Sequence, residues 1–170
     1  MTSLDLARVG VILKEVRRAG WVRVGVPAPV NTAESVADHS WSVALLAALL
    51  CPPDVNREKL LLMAILHDLA EVRVGDITPH DGISPEEKHR REDEAMAELL
   101  ADHAELLGLW REAETRETPE AKLLKELDRL ELRLQADRYA ALGVIDEATA
   151  DEFRRPAPVP GPNPQNSKKS

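Results

Sequence analysis

His67 and Asp68 are neighbours inside the apolar run from Leu61 to Glu71. A carboxylate in such a run must be compensated, since an unpaired buried charge costs several kcal/mol or is quenched by a proton. With ~3.6 residues per helical turn, Leu61, Ile65, Asp68 and Val72 fall on one line and Leu60, Ala64, His67 and Glu71 on the next, which sets Asp68 where a core residue belongs. An imidazole nitrogen beside a carboxylate oxygen suits a first-row divalent ion. Asp128 repeats the anomaly, sharing a helical line with Ala121, Leu124 and Leu132, and His39 does so within Glu34-Ser35-Val36-Ala37-Asp38-His39-Ser40-Trp41. If the three segments pack together, His39, His67, Asp68 and Asp128 bring two nitrogens and two carboxylates to one ion and leave positions open for water and substrate. Glu71, one turn beyond His67, is then a candidate base. A plainer reading pairs Asp68 and Asp128 with arginines such as Arg73 or Arg129, but it leaves the two histidines unexplained.

The elements that must position these residues are helices, with no convincing strand between them. Thr32 precedes a helix over Ala33 to Leu50 that Pro52-Pro53 ends, and Asp54 or Asn56 opens the helix of His67, which stops near Gly75. Ser84-Pro85-Glu86-Glu87 reads as a capping box opening a polar helix toward Leu106. Thr118-Pro119-Glu120 repeats the device for a helix to about Leu142, with Leu123, Leu127, Leu130 and Leu134 spaced for one buried face. Gly20 to Asn31 and Gly75 to Ser84 read as loops that can fold over a site. The expected organisation is one domain over residues 1–153, followed by a Pro-rich, flexible tail over residues 154–170.

Composition narrows the classes. The 3% aromatic content leaves packing to Leu, Ala and Val, which favours helices. The lone Cys51 rules out an internal disulfide or a thiolate zinc cluster within one chain and fits a reducing cytoplasm. No apolar run approaches the ~20 residues of a membrane span, so no membrane partner is expected. A net charge of −8 disfavours a nucleic-acid polymer, whereas a small phosphorylated ligand needs only local positive charge. Lys88-His89-Arg90-Arg91 is flanked by Glu86, Glu87, Glu92, Asp93 and Glu94, so it reads as a helix face laced with i,i+4 pairs, with one cation free to face a phosphate. His80, His89 and His103 read as surface residues, Trp41 and Trp110 as core or interface packing.

The runs ESVADHSW (Glu34 to Trp41), HDLAEVRVGDITP (His67 to Pro79), EEKHRREDEAM (Glu86 to Met96) and EAKLLKELDRLE (Glu120 to Glu131) together resemble the HD-domain metal-dependent phosphohydrolases. They are most similar to the branch of bacterial 5′-deoxynucleotidase and HD domain-containing protein 2. The resemblance spans Leu13 to Tyr139 and implies an all-α HD-domain helical bundle of five or six helices with a metal site between helices. It makes His39, His67, Asp68 and Asp128 the ligands of the principal metal, Mn²⁺ or Co²⁺, with Mg²⁺, Ni²⁺ and Zn²⁺ left open by the donor set. It makes Glu71 the water-activating carboxylate. In some relatives Glu71, Asp76 and the Ile77 carbonyl hold a second cation, and the Asp76, Ile77, Thr78, Pro79 loop contacts substrate. Arg18-Ala19-Gly20-Trp21 is similar to a stretch in which the Arg orients the phosphate and the Trp packs near the sugar. The stretch from Trp21 to His39 is a few residues longer here, with Pro27 and Pro29 in it, and the part after Tyr139 is short.

The resemblance implies a hydrolase of nucleoside 5′-monophosphates, 2′-deoxy over ribo, working as a cytoplasmic homodimer. Hydrolysis of nucleotide di- or triphosphates or modified nucleotides is the alternative, and an inactive metal-stabilised binding module the third reading. Arg18, Arg23 and His80, the cations of the two loops, are sparse for a triphosphate.

Overall fold

The computed structural model describes residues 2–27 and 33–155. Among these residues the chain forms α1 (Ser3–Ile12), α2 (Ala19–Arg23), α3 (Val36–Leu50), α4 (Arg57–Leu66), α5 (Glu71–Val74), α6 (Pro85–Leu99), α7 (Ala104–Thr115), α8 (Pro119–Ala141) and α9 (Glu147–Arg154), with a 3₁₀ turn at Pro79–Asp81. The architecture is all-α, as the sequence predicts. The helices outnumber the expected five or six because two are short and the polar helix predicted to reach Leu106 divides into α6 and α7.

Local chemistry explains the boundaries. Ser35, rather than Thr32, caps α3: its hydroxyl accepts from Asp38 N at 3.1 Å and the Asp38 carboxylate accepts from Ser35 N at 2.8 Å. Thr32 and Pro29 lie outside the described residues, as does the chain from residue 156, where most of the predicted tail falls. Asn56 opens α4, and Ser84 and Thr118 cap α6 and α8 ahead of Pro85 and Pro119. Ser84 accepts from Glu87 N at 3.2 Å, but Glu87 turns to Arg90 and Arg91 instead of closing the reciprocal bond of the box. These pairs, with Arg90 to Glu94, give the laced face expected of α6.

The run carrying His67 is not one helix. α4 ends at Leu66, and from Leu69 to Arg73 the backbone closes three-residue bonds, Leu69 N to Leu66 O at 3.0 Å and Glu71 N to Asp68 O at 3.1 Å, the tighter turn of a 3₁₀ segment. Within α4 Leu60, Met63 and Ala64 are buried, whereas Ile65, expected on the line of Asp68, is 56% exposed. Gly75 stops α5 at φ +74°, a conformation only glycine adopts without strain.

Three apolar clusters meet around the site. Leu13, Val36, Leu66, Met96 and Trp110 join α1, α3, α4, α6 and α7; Val43, Leu60, Met63, Leu124 and Leu127 join α3, α4 and α8; Trp21, Ala136, Tyr139 and Ala150 join α2, α8 and α9. The short part after Tyr139 forms α9, which packs on α8 and lays Phe153 against Trp21 at a 4.0 Å centroid distance. On α8 the predicted leucine face rotates: Leu127 is buried, but Leu134 is 49% exposed because Glu131, Ala136 and Tyr139 take the inner positions. Trp110 is core as expected, and Trp41 is 67% exposed. Leu127→Ala should therefore cost about 2–5 kcal/mol in urea unfolding, and Leu134→Ala about 0.5 kcal/mol or less; equal costs would refute this orientation of α8.

Candidate active site

α3, the end of α4 and α8 converge on one point. His39, fully buried on α3, sets its Nε2 3.3 Å from His67 Nε2, 3.3 Å from Asp128 Oδ1 and 3.6 Å from Asp68 Oδ2. His67 Nε2 is 3.2 Å from Asp68 Oδ2. The other nitrogen of each ring is spoken for. His39 Nδ1 donates to Glu131 Oε2 at 2.7 Å and His67 Nδ1 to the Ala64 carbonyl at 2.8 Å. Those acceptors assign the protons to Nδ1 and leave two Nε2 lone pairs facing each other. Asp68 Oδ2 is buried with no hydrogen-bond donor. Two facing acceptors and an orphaned carboxylate oxygen demand a cation, and the donor atoms of His39, His67 and Asp128 all lie within 4.8 Å of one another. The residues fit a divalent ion.

The electrostatics agree. Burial and Arg18 push the His39 imidazolium pKa down, yet Asp128, Glu131 and Asp68 outweigh them and raise it to about 9, so the pocket favours positive charge at Nε2. Burial would raise Asp128 and Asp68, but the surrounding cationic groups hold both carboxylates below their usual range. Burial drives the Glu71 carboxyl well above its usual range, with Asp68 and Asp76 adding to the rise, and its Oε2 has no hydrogen-bond partner.

Asp68 also faces an arginine, though not the Arg73 or Arg129 of the plainer reading. Arg18 Nη1 lies 3.6 Å from Asp68 Oδ2 and 3.8 Å from Asp76 Oδ1. Arg73 instead pairs with Glu98 at 3.6 Å. Arg18, with 16% of its side chain exposed, is held by its backbone N–H on the Glu34 carbonyl at 3.1 Å, while Asp76 Oδ2 accepts from Ala19 N at 2.7 Å and fixes the start of α2.

A cavity of about 300 Å³ opens beside these groups, lined by Arg18, Trp21, Asp68, Glu71, Asp128 and the Asp76 to Pro79 loop. Two of its expected contacts are differently engaged. The Thr78 hydroxyl donates to Asp81 at 2.8 Å, capping the 3₁₀ turn, and the Ile77 carbonyl accepts the Lys88 ammonium at 3.0 Å, at the place where relatives are expected to hold a second cation. Trp21 is only 1% exposed. Its Nε1 donates to Glu34 Oε1 at 2.8 Å, and Phe153 covers it, so Phe153 and Leu132 offer the larger apolar surface. Gly20 permits this, since an added Cβ would stand 3.3 Å from Phe153 Cε1.

The family profile described as HD domain matches residues 11–154. The chain belongs to the HD-domain family. It is 46% identical over 135 residues to 5′-deoxynucleotidase HDDC2 of Danio rerio, covering 76% of this chain and 66% of that one, just under two thirds of the relative's length. It is 42% identical over 165 residues to 5′-deoxynucleotidase HDDC2 of Homo sapiens, covering 90% and 79%. Among solved structures it superposes on a conserved hypothetical protein from Pyrococcus furiosus with a TM-score of 0.77, 32% identity and 90% coverage of both chains.

Within this HD-domain fold, sequence reasoning gave no role to Glu34, Lys125 or Glu131, and it named Lys88 only as one of the cations of its run. Glu131 lay in a quoted motif one turn past Asp128, the i,i+3 spacing that places it on the same face, and it orients His39. Lys125, at the same spacing before Asp128, meets its Oδ2 at 2.6 Å. Lys88 is the cation of the α6 run that turns inward. Burial and the Glu131 carboxylate push Glu34, also overlooked, up to about 7. Because a carboxylate on the far nitrogen fixes the tautomer and basicity of a ligating imidazole, Glu131→Gln should weaken Mn²⁺ binding about 10–100-fold by calorimetric titration; an unchanged affinity in a folded variant would exclude that role.

Proposed function

We propose that this chain removes the 5′-phosphate from nucleoside 5′-monophosphates, 2′-deoxyribonucleotides above all, to give nucleoside and inorganic phosphate. The observation that carries the reading is the pair of facing Nε2 lone pairs with the orphaned Asp68 oxygen, set beside a buried arginine in one cavity. The two relatives named 5′-deoxynucleotidase support the substrate class.

In this reading His39, His67, Asp68 and Asp128 hold one divalent ion, which when bound acidifies water and polarises a phosphoryl oxygen. Arg18, tied between Asp68 and Asp76, neutralises the phosphate and keeps its phosphorus before Glu71. The Glu71 carboxylate takes a proton from the attacking water as its oxygen joins phosphorus. The P–O5′ bond breaks on the opposite side, the 5′-oxygen takes a proton from solvent as it leaves, and Glu71 returns its own proton to solvent. Glu71, Asp76 and Ile77 make a candidate second-ion site, where the Lys88 ammonium already supplies positive charge. Phe153, Leu132 and the edge of Trp21 pack against the sugar, and an apolar ring near the 2′ carbon would leave a ribose hydroxyl without a partner.

The finer readings follow the same reasoning. Manganese or cobalt suits the nitrogen–oxygen donor set. A homodimer is supported by the exposed apolar residues Trp41, Leu45, Leu49 and Ile65 on α3 and α4, and sedimentation velocity reads the mass. Cytoplasmic residence is supported by the single, unpaired Cys51, and fractionation checks it. No helix among the described residues is long and apolar enough to cross a membrane.

A phosphate-release screen of nucleoside mono-, di- and triphosphates with each metal tests the reaction. Monophosphates should dominate, with deoxy exceeding ribo by about 10²-fold at most in kcat/KM. Preference for di- or triphosphates would favour the alternative, and metal binding without turnover the binding module. Asp68→Ala should lose bound metal and phosphate release together. Glu71→Gln should keep the metal and lower kcat by about 10²–10⁴-fold; near-normal turnover in that variant would remove Glu71 from the reaction.

A further inference from the structure

The protein carries a formal charge of −8, yet a second cavity of about 450 Å³ opens outward from the nucleotide site and is lined by cations. Arg23, Arg129, Arg133 and Arg155 stand around it, from α2, α8 and the end of α9, over an apolar floor of Leu132 and Phe153. Its carboxylates are Asp128, whose oxygens face His39 and Lys125, and Glu152, which pairs with Arg23 at 3.3 Å. Arg129, Arg133 and Arg155 are exposed and have no carboxylate partner among the described residues. Arg129 and Arg133 are one turn apart on α8, a like-charged i,i+4 pair that destabilises a helix unless an anion bridges it.

We propose that these arginines form a second phosphate subsite, which takes a phosphate on the 3′-oxygen of the substrate, so that nucleoside 3′,5′-bisphosphates bind better than 5′-monophosphates. The inference rests on the reading of the inner cavity as a 5′-nucleotide site. Arg129 follows Asp128 directly and Arg133 lies about 6 Å further along the helix axis. The cationic row therefore starts beside the reacting phosphate and runs outward alongside Leu132 and Phe153, where the sugar packs. A group beyond the sugar, not one attached to the 5′-phosphate, reaches it. Guanidinium forks on either side of a phosphate match its oxygens two at a time. Reaction at the 5′ end is unaltered in kind: water oxygen bonds to the 5′ phosphorus, the P–O5′ bond breaks, and a nucleoside 3′-monophosphate leaves with inorganic phosphate.

The test compares a deoxynucleoside 5′-monophosphate with the matching 3′,5′-bisphosphate and 5′-diphosphate in the metal-loaded protein. In wild type the bisphosphate should show a kcat/KM about tenfold above the monophosphate, expressed in KM, as two partly exposed charge-assisted contacts supply. In Arg129→Ala/Arg133→Ala the ratio should fall toward one, and Arg129→Lys/Arg133→Lys should restore part of it. Equal values in wild type, or a ratio unmoved by the alanine pair, would overturn the subsite; a gain for the 5′-diphosphate alone would overturn its placement at the 3′ side. Direct titration of the deoxynucleoside 3′-monophosphate against the plain deoxynucleoside keeps the two readings apart. Tighter binding of the former without turnover of any 5′-monophosphate would leave the subsite standing and remove the proposed reaction, while turnover without tighter binding would do the reverse.

Discussion

Two imidazole lone pairs cannot be left facing each other at 3.3 Å without something positive between them, and much of this structure serves to keep them there. Glu131 and the Ala64 carbonyl each accept a hydrogen bond from the Nδ1–H of one ring, which disfavours the tautomer that would let the rings bond to each other. His39 is packed without exposure and its ring cannot turn away. Asp68 and Asp128 add negative charge to the same point, so the apolar clusters on either side must be strong enough to hold a site that repels itself. A cation relieves that repulsion, and a metal bound there would contribute to folding.

The break after Leu66 is how one short stretch of chain serves three directions. Had α4 continued, His67, Asp68 and Glu71 would fan around a straight cylinder at ~100° per residue. The tightened turn over residues 67–70 brings both Asp68 and Glu71 onto the cavity. Trp110 secures the turn by donating its indole N–H to the His67 carbonyl at 3.1 Å, one of the acceptors that an ending helix leaves over. A core residue on α7 thereby helps fix the turn that carries His67.

The helices and the convergence of His39, His67, Asp68 and Asp128 were legible because caps, prolines and misplaced polar residues are local signals. His39, His67, Asp68 and Asp128 stood out as costly residues in apolar runs, and cost is visible in one dimension. The split at His67 was not legible: its run has no Gly or Pro until Gly75, and the turn is imposed by tertiary contacts such as Trp110. Nor was the partner of Asp68. Arg73 was nearer in sequence, but Arg18 arrives from another segment, tethered through Glu34 and Asp76. Trp21 was legible as a site residue and not as a buried one, because Phe153, the ring that covers it, lies at the far end of the chain. Glu131 and Lys125 could have been found by extending the i,i+3 argument from Asp128 in both directions.

The distribution of charge follows from the same geometry. Carboxylates dominate the exterior, where α6 pairs them with its own arginines at i,i+3 and i,i+4 spacing, at little energetic gain. Around the cavity the sign reverses: Arg18, Lys88 and Lys125 stand close to Asp68, Asp128 and the Ile77 carbonyl, and each is partly desolvated, so each is less screened than a surface charge. An acidic exterior repels long polyanions, whereas a cleft with inward-facing cations admits a ligand small enough to leave the exterior field behind. Repulsion of long polyanions and admission of a small anion are then one electrostatic property, expressed at two distances from the same cluster of side chains.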